Sequence, residues 1–444
     1  MGSALGRGNQ MVHQRRKASG SQKIPRRRRW LAWIAGGALL IAIGTFGLYR
    51  YYLNPQNFLL TPSILHHNET SSNPSFGHRI TFLLMGSSLA TINHQVVTND
   101  KVRDRADTII LVSLNPHTHA IGVLSIPRDT RVYLPGIGLT KIAEATYFGG
   151  VHEMVQVVQN TFHVPVDYYA YLSMFQFEKI INDMGGLTVN VPQNEVYEAN
   201  GDPLGINLHK GVQHLNGQQV LEFARFRATS LGDIGRIQQQ QQLLRDMARQ
   251  LLTPQNIPRW PQIAGDVIHA LSYTNLGVNQ LVSLGLFARH IPLNTVRFAT
   301  VPGHGSTHMD PYMHQPLSYW TYSPRLTNIL IQDVLLASPL TATQKKSLSF
   351  YIASGTDSLQ PAQALAHQLV TDGYTVAGIG WANHHNHHRT VILNTTGDHW
   401  LGNRIAAMTG PAVQSFTSYH TTPWDIKITV GSDYRAPTTT SSPT

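Results

Sequence analysis

The 444-residue chain contains no cysteine, which excludes disulfides, thiolate metal sites and thiol nucleophiles. It is also poor in charge. Asp, Glu, Lys and Arg make up 13% of the residues, against about 25% in typical soluble domains. Histidine, with 23 copies, takes over part of the polar exterior. Two readings stand: an acidic medium, where carboxylates protonate and a side chain that ordinarily titrates at about pH 6.5 gains charge, or drift of composition within the lineage. Acidic residues are missing altogether from the first 29 positions, which hold nine Lys or Arg. The other 25 basic and 24 acidic residues nearly cancel, so the formal charge of +10 belongs to this tail.

Long apolar runs are scarce too, with one exception. WLAWIAGGALLIAIGTFGLY, Trp30–Tyr49, is twenty residues without a charge. As a helix it would extend roughly 30 Å, the hydrocarbon thickness of a bilayer. Trp30 and Trp33 sit at one edge, and Tyr49, Tyr51 and Tyr52 at the other, as interfacial aromatics do. The run is long for a signal peptide and no small-residue cleavage site follows it. The expectation is a transmembrane helix over residues 30–53, with a cytoplasmic basic tail at 1–29 and everything after it extracellular. The tail runs directly into the membrane, so no nucleic-acid partner is expected. Residues 54–78, rich in Pro, Ser and Asn, read as a spacer.

Beyond the spacer the pattern is α/β. Ile80–Met85, Thr108–Leu114, Ala120–Ile126, Tyr168–Leu172, Leu187–Val191 and Val296–Val301 read as strands. Helices are expected up to Phe162 after Gly149-Gly150, and over Phe175–Met184, Gly217–Phe226 and Ile234–Leu252. From Leu348 the order strand, helix, strand, strand, helix, strand matches a split βαβ, ferredoxin-like unit over 348–434. Residues 435–444 read as a disordered tail. The fold class expected is therefore α/β: an α-β-α layered domain with a mixed central sheet at 79–340, followed by a small βαββαβ domain. His384, His385, His387 and His388 fall in a loop between two strands. They read as a polar loop, with zinc or copper binding the sharper alternative.

The densest chemistry lies in FARFRATSLGDIGRIQQQQ, with Arg225, Arg227, Arg236 and Gln240. Guanidinium is permanently charged, planar and able to grip phosphate oxygens two at a time. Arg236 and Gln240 stand four apart and share a helix face. Residues 115–119 link two strands as a short turn, so Thr108–Leu114 and Ala120–Ile126 form an antiparallel hairpin. That brings Arg105-Ala106-Asp107, at the start of one strand, beside Pro127-Arg128-Asp129 at the end of the other. Arg105 and Asp107, two apart, point to one side in extended chain. Arginines, aspartates and an amide then converge on one anion site. Taken singly, these pieces also fit a surface ion pair, a turn, and a solvated glutamine face at Gln238–Gln242.

Together the segments ITFLLMGS (80–87), DRADTIILVSLNP (104–116), LSIPRDTRVYLPGIG (124–138), Lys141-Ile142, DMGGLTVNVP (183–192), LHKGVQHLNGQQVLEFARFR (208–227) and GDIGRIQQQQ (232–241) resemble the LytR-CpsA-Psr family of cell-wall ligases. The 348–434 unit resembles the companion C-terminal domain of that family. The resemblance implies an extracytoplasmic phosphotransferase that moves a glycopolymer, teichoic-acid-like or capsular, from undecaprenyl pyrophosphate to peptidoglycan through a phosphodiester. It implies Arg105, Arg128, Arg225, Arg227, Arg236 and Gln240 as pyrophosphate ligands, Arg128, Asp129, Arg225 and Arg227 as catalytic residues, and Asp107 as a magnesium ligand. Asp129 or Asp107 would take the acceptor's proton. The apolar stretch Phe175–Met184, with Tyr168–Tyr171 before it, would line a prenyl tunnel or simply pack the core. One departure stands out. The family pattern has an Asp and an Arg after Gly-Ser, where this chain has Gly86-Ser87-Ser88-Leu89-Ala90. A site with one carboxylate holds magnesium weakly. Asp100 or Asp104 would compensate, or the protein binds lipid carriers and cell wall as a scaffold without transferring.

Overall fold

The computed structural model describes residues 79–435, apart from 88–90, 93–94, 97–104, 198–204, 227–232, 272, 290, 411 and 417–421. The basic tail, the apolar run, the spacer, Ser88, Asp100, Asp104, Arg227 and the 436–444 tail lie outside these. Among the described residues no helix is long and apolar enough to cross a membrane. All of them belong to one compact unit.

The elements that place the site are, in order, β1 (Ile80–Ser87), β2 (Thr108–Leu114), β3 (Ile121–Ser125), β4 (Arg131–Leu134), β5 (Gly138–Lys141), α1 (Glu144–Phe162), β6 (Tyr168–Ser173), α2 (Met174–Asp183), β7 (Leu187–Val191), β8 (Gly211–Leu215) and α3 (Gly217–Arg225). Then come α4 (Asp233–Leu251), α5 (Trp260–Ala270), β9 (Tyr273–Thr274), α6 (Val278–Ala288), β10 (Arg297–Thr300), β11 (Gly303–Met309), β12 (Pro316–Tyr322) and α7 (Pro324–Leu330). A π turn over Ile331–Leu335 follows α7. The last part holds β13 (Ser349–Ser354), α8 (Gln360–Thr371), β14 (Thr375–Trp381), β15 (Thr390–Asn394), α9 (His399–Thr409), β16 (Ala412–Phe416) and β17 (Ile426–Val430).

The central sheet has the order β9-β6-β1-β2-β3-β10 and is mixed: β1 runs antiparallel to β2 and parallel to β6, and β10 runs parallel to β3. Apolar side chains of β1 go to both faces, as a strand buried on both sides requires. Leu83 and Met85 pack with Met154, Val157, Val158 and Phe162 of α1 and with the π turn. Ile80 and Phe82 face Phe287 of α6, with Leu281 and Leu284 beside it. Helices therefore cover both faces, giving three layers. The π turn comes so close that a Cβ on Gly122 of β3 would stand 2.1 Å from the carbonyl oxygen of Val334. Only glycine fits there.

The expected β2–β3 hairpin is present, Ile110 opposite Ser125 and Leu114 opposite Ile121. Its turn is closed by Asn115, whose Oδ1 accepts from the backbone N–H groups of His117 and Thr118. α1 begins at Glu144, earlier than the glycine pair, and bends at Gly150, where φ is 71°.

The C-terminal sheet corrects the sequence reading. It has five strands, in the order β14-β13-β17-β15-β16, because residues 412–416 form an additional strand. β13 and β14 pair directly and in parallel. In a split βαβ unit another strand would lie between them, so this is not the ferredoxin-like arrangement. α7 joins the two halves: Leu326 and Ile329 enter the C-terminal core, while Leu330 enters the core under α1. The halves also meet where β10 touches the start of α9. Thr300 N–H donates to the Gly397 carbonyl at 3.1 Å, and Arg404 reaches the buried Asp333 of the π turn at 2.7 Å.

Candidate functional site

The β2–β3 register puts the first residues of β2 beside the last of β3. Ala106 is fully buried, so Arg105 and Asp107 on either side of it turn away from the core. The Arg128 guanidinium donates to Asp107 Oδ1. Asp129 accepts an ion pair from Lys141 Nζ at 2.7 Å and lies 3.7 Å from Arg128 Nε. α4 crosses this end of the sheet. Gln240 Nε2 donates to Thr108 Oγ1 at 3.0 Å, and Arg236, one turn earlier, is 6% exposed.

Asp107, Arg128, Asp129, Arg236 and Gln240 line one cleft of about 310 Å³, with Thr108, Ser125 and Pro127 among its other walls. Its charged groups are two guanidiniums and two carboxylates, with the Lys141 ammonium at Asp129. An anion with several oxygens fits such a set: the arginines offer planar donors, and the half-enclosed site weakens screening.

Two predicted ligands stand outside the cleft lining. Arg105 is drawn to Glu144 at the start of α1, Nε to Oε1 2.7 Å, and lies 4.6 Å over the Tyr147 ring. Arg225 ends α3, whose next described residue is Phe226. Arg227 falls outside the described residues.

The solvated glutamine face is overturned. Gln241 is 1% exposed, and its Nε2 lies within hydrogen-bonding distance of Ser125 Oγ, the Ala299 carbonyl and Thr300 Oγ1, at 3.0, 3.1 and 3.3 Å. Gln239 donates to the buried Glu195 at 2.7 Å, and Gln242 to the Asn190 carbonyl at 2.8 Å. The glutamines fasten α4 over the sheet and so fix Arg236 and Gln240. Burial pushes the Glu195 carboxyl up to about 7, against the lowering effect of the Gln239 bond.

Sequence alone assigns Lys141 no role. β4 and β5 form a hairpin in which Arg131 pairs with Lys141, and that folds Lys141 back beside Asp129. The Pro-Gly-Ile-Gly turn between RVYL and LTK carried that signal. A second hairpin, β11–β12, closes on the same spot: Trp320 N–H donates to the Asp129 carbonyl at 2.8 Å. Beneath it, Tyr319 is 1% exposed and donates to Asp310 Oδ2 at 2.5 Å. Burial and the Asp310 carboxylate push the Tyr319 phenol up to about 12.

Among the described residues no group of three or more His, Asp or Glu could hold a metal ion. The His384–His388 loop is exposed, apart from the half-buried His387, and His385 stacks on Trp381 at 4.7 Å. In the cleft, Asp107 is the carboxylate facing Arg128. Such a donor set suits magnesium only when substrate phosphate oxygens complete the coordination.

A second pocket, apolar and open to solvent, lies between the sheet and α6, lined by Ile80, Phe82, Leu114, Tyr168, Leu284 and Phe287 among others. It sits at the far end of β2 from the charged cleft, roughly 20 Å away at about 3.3 Å per residue. Phe175–Met184, the stretch considered for a tunnel, packs instead: Ile181 is fully buried, and Ile180 and Met184 meet Ile263 of α5.

The LytR_cpsA_psr family model matches residues 62–325. The chain is 32% identical over 251 residues to the polyisoprenyl-teichoic acid–peptidoglycan teichoic acid transferase TagV of Bacillus subtilis, covering 54% of this chain and 62% of that one. It is 31% identical over 298 residues to TagU of Oceanobacillus iheyensis, named for the same transferase activity, covering 64% of this chain and 88% of that one. The crystal structure of a Streptococcus agalactiae protein, gbs0355, superposes with a TM-score of 0.51 at 21% identity, over 61% of this chain and 93% of the other. That likeness shows a shared fold.

Proposed function

The chain belongs to the LytR_cpsA_psr family, and on that premise we propose that it is an extracytoplasmic phosphotransferase, moving a teichoic-acid-like or capsular glycopolymer from a polyprenyl-pyrophosphate carrier to peptidoglycan. The observation that carries this reading is the meeting of Asp107, Arg128, Arg236 and Gln240 in one cleft, on a sheet whose far end holds an apolar pocket. A pyrophosphate joined to a prenyl chain has both chemistries, and a chain of several isoprene units is long enough to reach from one site to the other. The relatives named as teichoic acid transferases support the glycopolymer and the acceptor.

In the reaction an acceptor sugar hydroxyl attacks the sugar-proximal phosphorus. The new O–P bond forms as the bond to the lipid-side phosphate breaks, and polyprenyl monophosphate leaves with the electron pair. The hydroxyl proton passes to a cleft carboxylate, Asp129 or Asp107. Arg128 and Arg236 bind and neutralise phosphoryl oxygens, and Gln240 orients them. Positioning and electrostatic stabilisation dominate phosphoryl transfer. Arg225 and Arg227, between α3 and α4 in the chain, and Arg105, on release from Glu144, would join when substrate arrives. Asp107, with substrate oxygens, would hold Mg²⁺, which supplies further charge neutralisation. The Trp30–Tyr49 run would keep the enzyme in the cell membrane with its domains outside.

Ser88, in place of the family's carboxylate, favours a second reading in which the protein binds the lipid carrier or the wall without transfer. Labelled polyprenyl-pyrophosphate saccharide and peptidoglycan oligomers, with and without Mg²⁺, separate the two. Labelled phosphodiester product supports ligation, and tight donor binding with no product supports the scaffold.

A further inference from the structure

Eleven large apolar side chains are exposed among the described residues, and five of them sit on two adjoining hairpins. Isolated exposed apolar residues are ordinary; a cluster is not. Tyr133 and Leu139 are cross-strand partners in β4–β5, 64% and 46% exposed on the same face. Met309, Tyr312 and Met313 belong to the tip of β11–β12 and are 63%, 48% and 50% exposed. The tips touch. Thr140 Oγ1 donates to Asp310 Oδ2 at 2.9 Å, and a Cβ on Gly138 would stand 3.7 Å from Pro311; the Tyr312 ring also meets Phe148 of α1 edge-on at 4.9 Å.

The charge on these hairpins is one-sided. Arg131, Lys141 and three histidines, His304, His308 and His314, accompany the apolar cluster. The one carboxylate, Asp310, is 3% exposed and accepts from Thr140, Tyr319 and the Tyr312 and Met313 backbone. Residues 131–141 and 303–322 hold no other Asp or Glu. The hairpins are also continuous with the cleft, since Lys141 holds Asp129 and Trp320 N–H donates to its carbonyl.

We propose that these two hairpin tips dock on an anionic lipid surface, with Tyr133, Leu139, Met309, Tyr312 and Met313 entering the headgroup layer. This rests on the reading of the chain as a membrane-tethered enzyme with a lipid-linked donor. Tyrosine places its ring at the headgroup level, and Leu and Met go deeper. Arg131 complements anionic lipid, while the Lys141 ammonium is held by Asp129. A second copy of the same surface would bring cation against cation. A glycan would call for amides and carboxylates around the rings, and the tips offer one, Gln315. The consequence is mechanistic. A lipid pyrophosphate lies where hydrocarbon meets water, and docking by these tips holds the cleft at that depth. The thirty residues from Tyr49 to Arg79 extend at most about 100 Å, so the tether permits but does not enforce the contact.

The absence of cysteine makes the test clean. Single cysteines replace Tyr133, Met313 or Val370 (Y133C, M313C, V370C) in the full chain. Each carries an environment-sensitive fluorophore, and the protein is reconstituted in phosphatidylglycerol–phosphatidylethanolamine vesicles with brominated acyl chains. Val370, exposed on α8 of the C-terminal half, is the reference. Docking gives several-fold more quenching at 133 and 313 than at 370, weakened by high salt. Equal quenching at all three, or none at 133 and 313, overturns it. So does a signal that follows protein concentration instead of brominated lipid, which identifies a second copy. A signal that follows peptidoglycan oligomers in lipid-free detergent identifies a glycan and overturns it equally. Turnover of a water-soluble short-prenyl donor tests the ligase reading separately. Quenching without turnover leaves docking standing alone; turnover without quenching does the reverse.

Discussion

Arg128 and Asp107 are bonded to one another across the β2–β3 hairpin, the guanidinium of one closing on the carboxylate of the other. The register of an antiparallel pair makes this contact. It holds the guanidinium in place before any phosphate arrives, and it sets Arg128 in competition with a cation for the same carboxylate.

The competition predicts a metal phenotype. Asp107→Asn removes the charge that would hold Mg²⁺ while keeping an acceptor for Arg128. The Mg²⁺ concentration for half-maximal transfer should rise by about tenfold or more. Calorimetry of Mg²⁺ binding in the presence of a pyrophosphate analogue reads the same loss without turnover. An unchanged Mg²⁺ dependence would remove Asp107 from the metal site.

Arg128 itself should be unforgiving. Arg128→Ala is expected to lower transfer by about 10²–10³-fold, the usual cost of losing one oxyanion donor. Arg128→Lys should recover little of it, because an ammonium cannot present two coplanar N–H groups. Thermal unfolding should move little, since the side chain is partly exposed. Lysine restoring full activity would show that charge alone suffices there.

The hairpin that produces this contact was legible because it is local: a five-residue link of one proline and four polar residues, between two β-branched runs, leaves little room for anything but a turn. Arg236 and Gln240 were legible because helical spacing is periodic. The fastening role of Gln239 and Gln241 was not. Polarity along a helix ordinarily means solvent, and only the arrival of Ser125, Ala299 and Thr300 at Gln241 shows otherwise. Arg105 was placed correctly on the chain, yet Glu144, distant in sequence, competes for it. In the C-terminal half the local elements were readable, but which strand lies beside β13 is settled by long-range packing that no window of sequence contains. β16, AVQSF, sets two polar residues side by side at its centre and so lacks the alternation that marked Leu187–Val191.

The apolar pocket at the far end of β2 makes a length-dependent prediction. Leu284→Trp puts an indole into a space lined by Ile80, Phe82, Leu114 and Phe287. Affinity for a long-chain prenyl donor should fall by about tenfold, on the scale of two displaced isoprenoid methylenes at about 0.8 kcal/mol each. Affinity for a short-prenyl donor should stay as it was. A donor-binding series over prenyl length checks this, and an equal loss for both lengths would place the lipid elsewhere.

The junction between the two halves should respond to pH in both directions. Asp398 caps α9, its Oδ1 accepting from Leu401 N–H at 2.9 Å, and its other oxygen faces Asp333. Both carboxylates are fully buried, and Arg404 and Arg297 approach Asp333 at 2.7 and 3.5 Å. Burial first, and then Asp333, holds the Asp398 carboxyl well above the usual carboxylate range, so the folded chain keeps a proton there. The stability from that proton is complete below about pH 4 and is lost as pH rises through the folded value. Next to it, burial and then Arg245 push the His399 imidazole down to about 4. That contribution is complete above about pH 6.5 and is lost as pH falls toward 4. His399 thus opposes acid, whatever the other histidines do. Asp398→Asn supplies an amide donor to Asp333 and keeps the cap, so the melting temperature should decline less on the alkaline side. His399→Gln should flatten the acid side between pH 6.5 and 4. Calorimetric melting temperatures across pH 4–9 measure both slopes. If Asp398→Asn leaves the alkaline slope unchanged, the proton is not held between these two carboxylates.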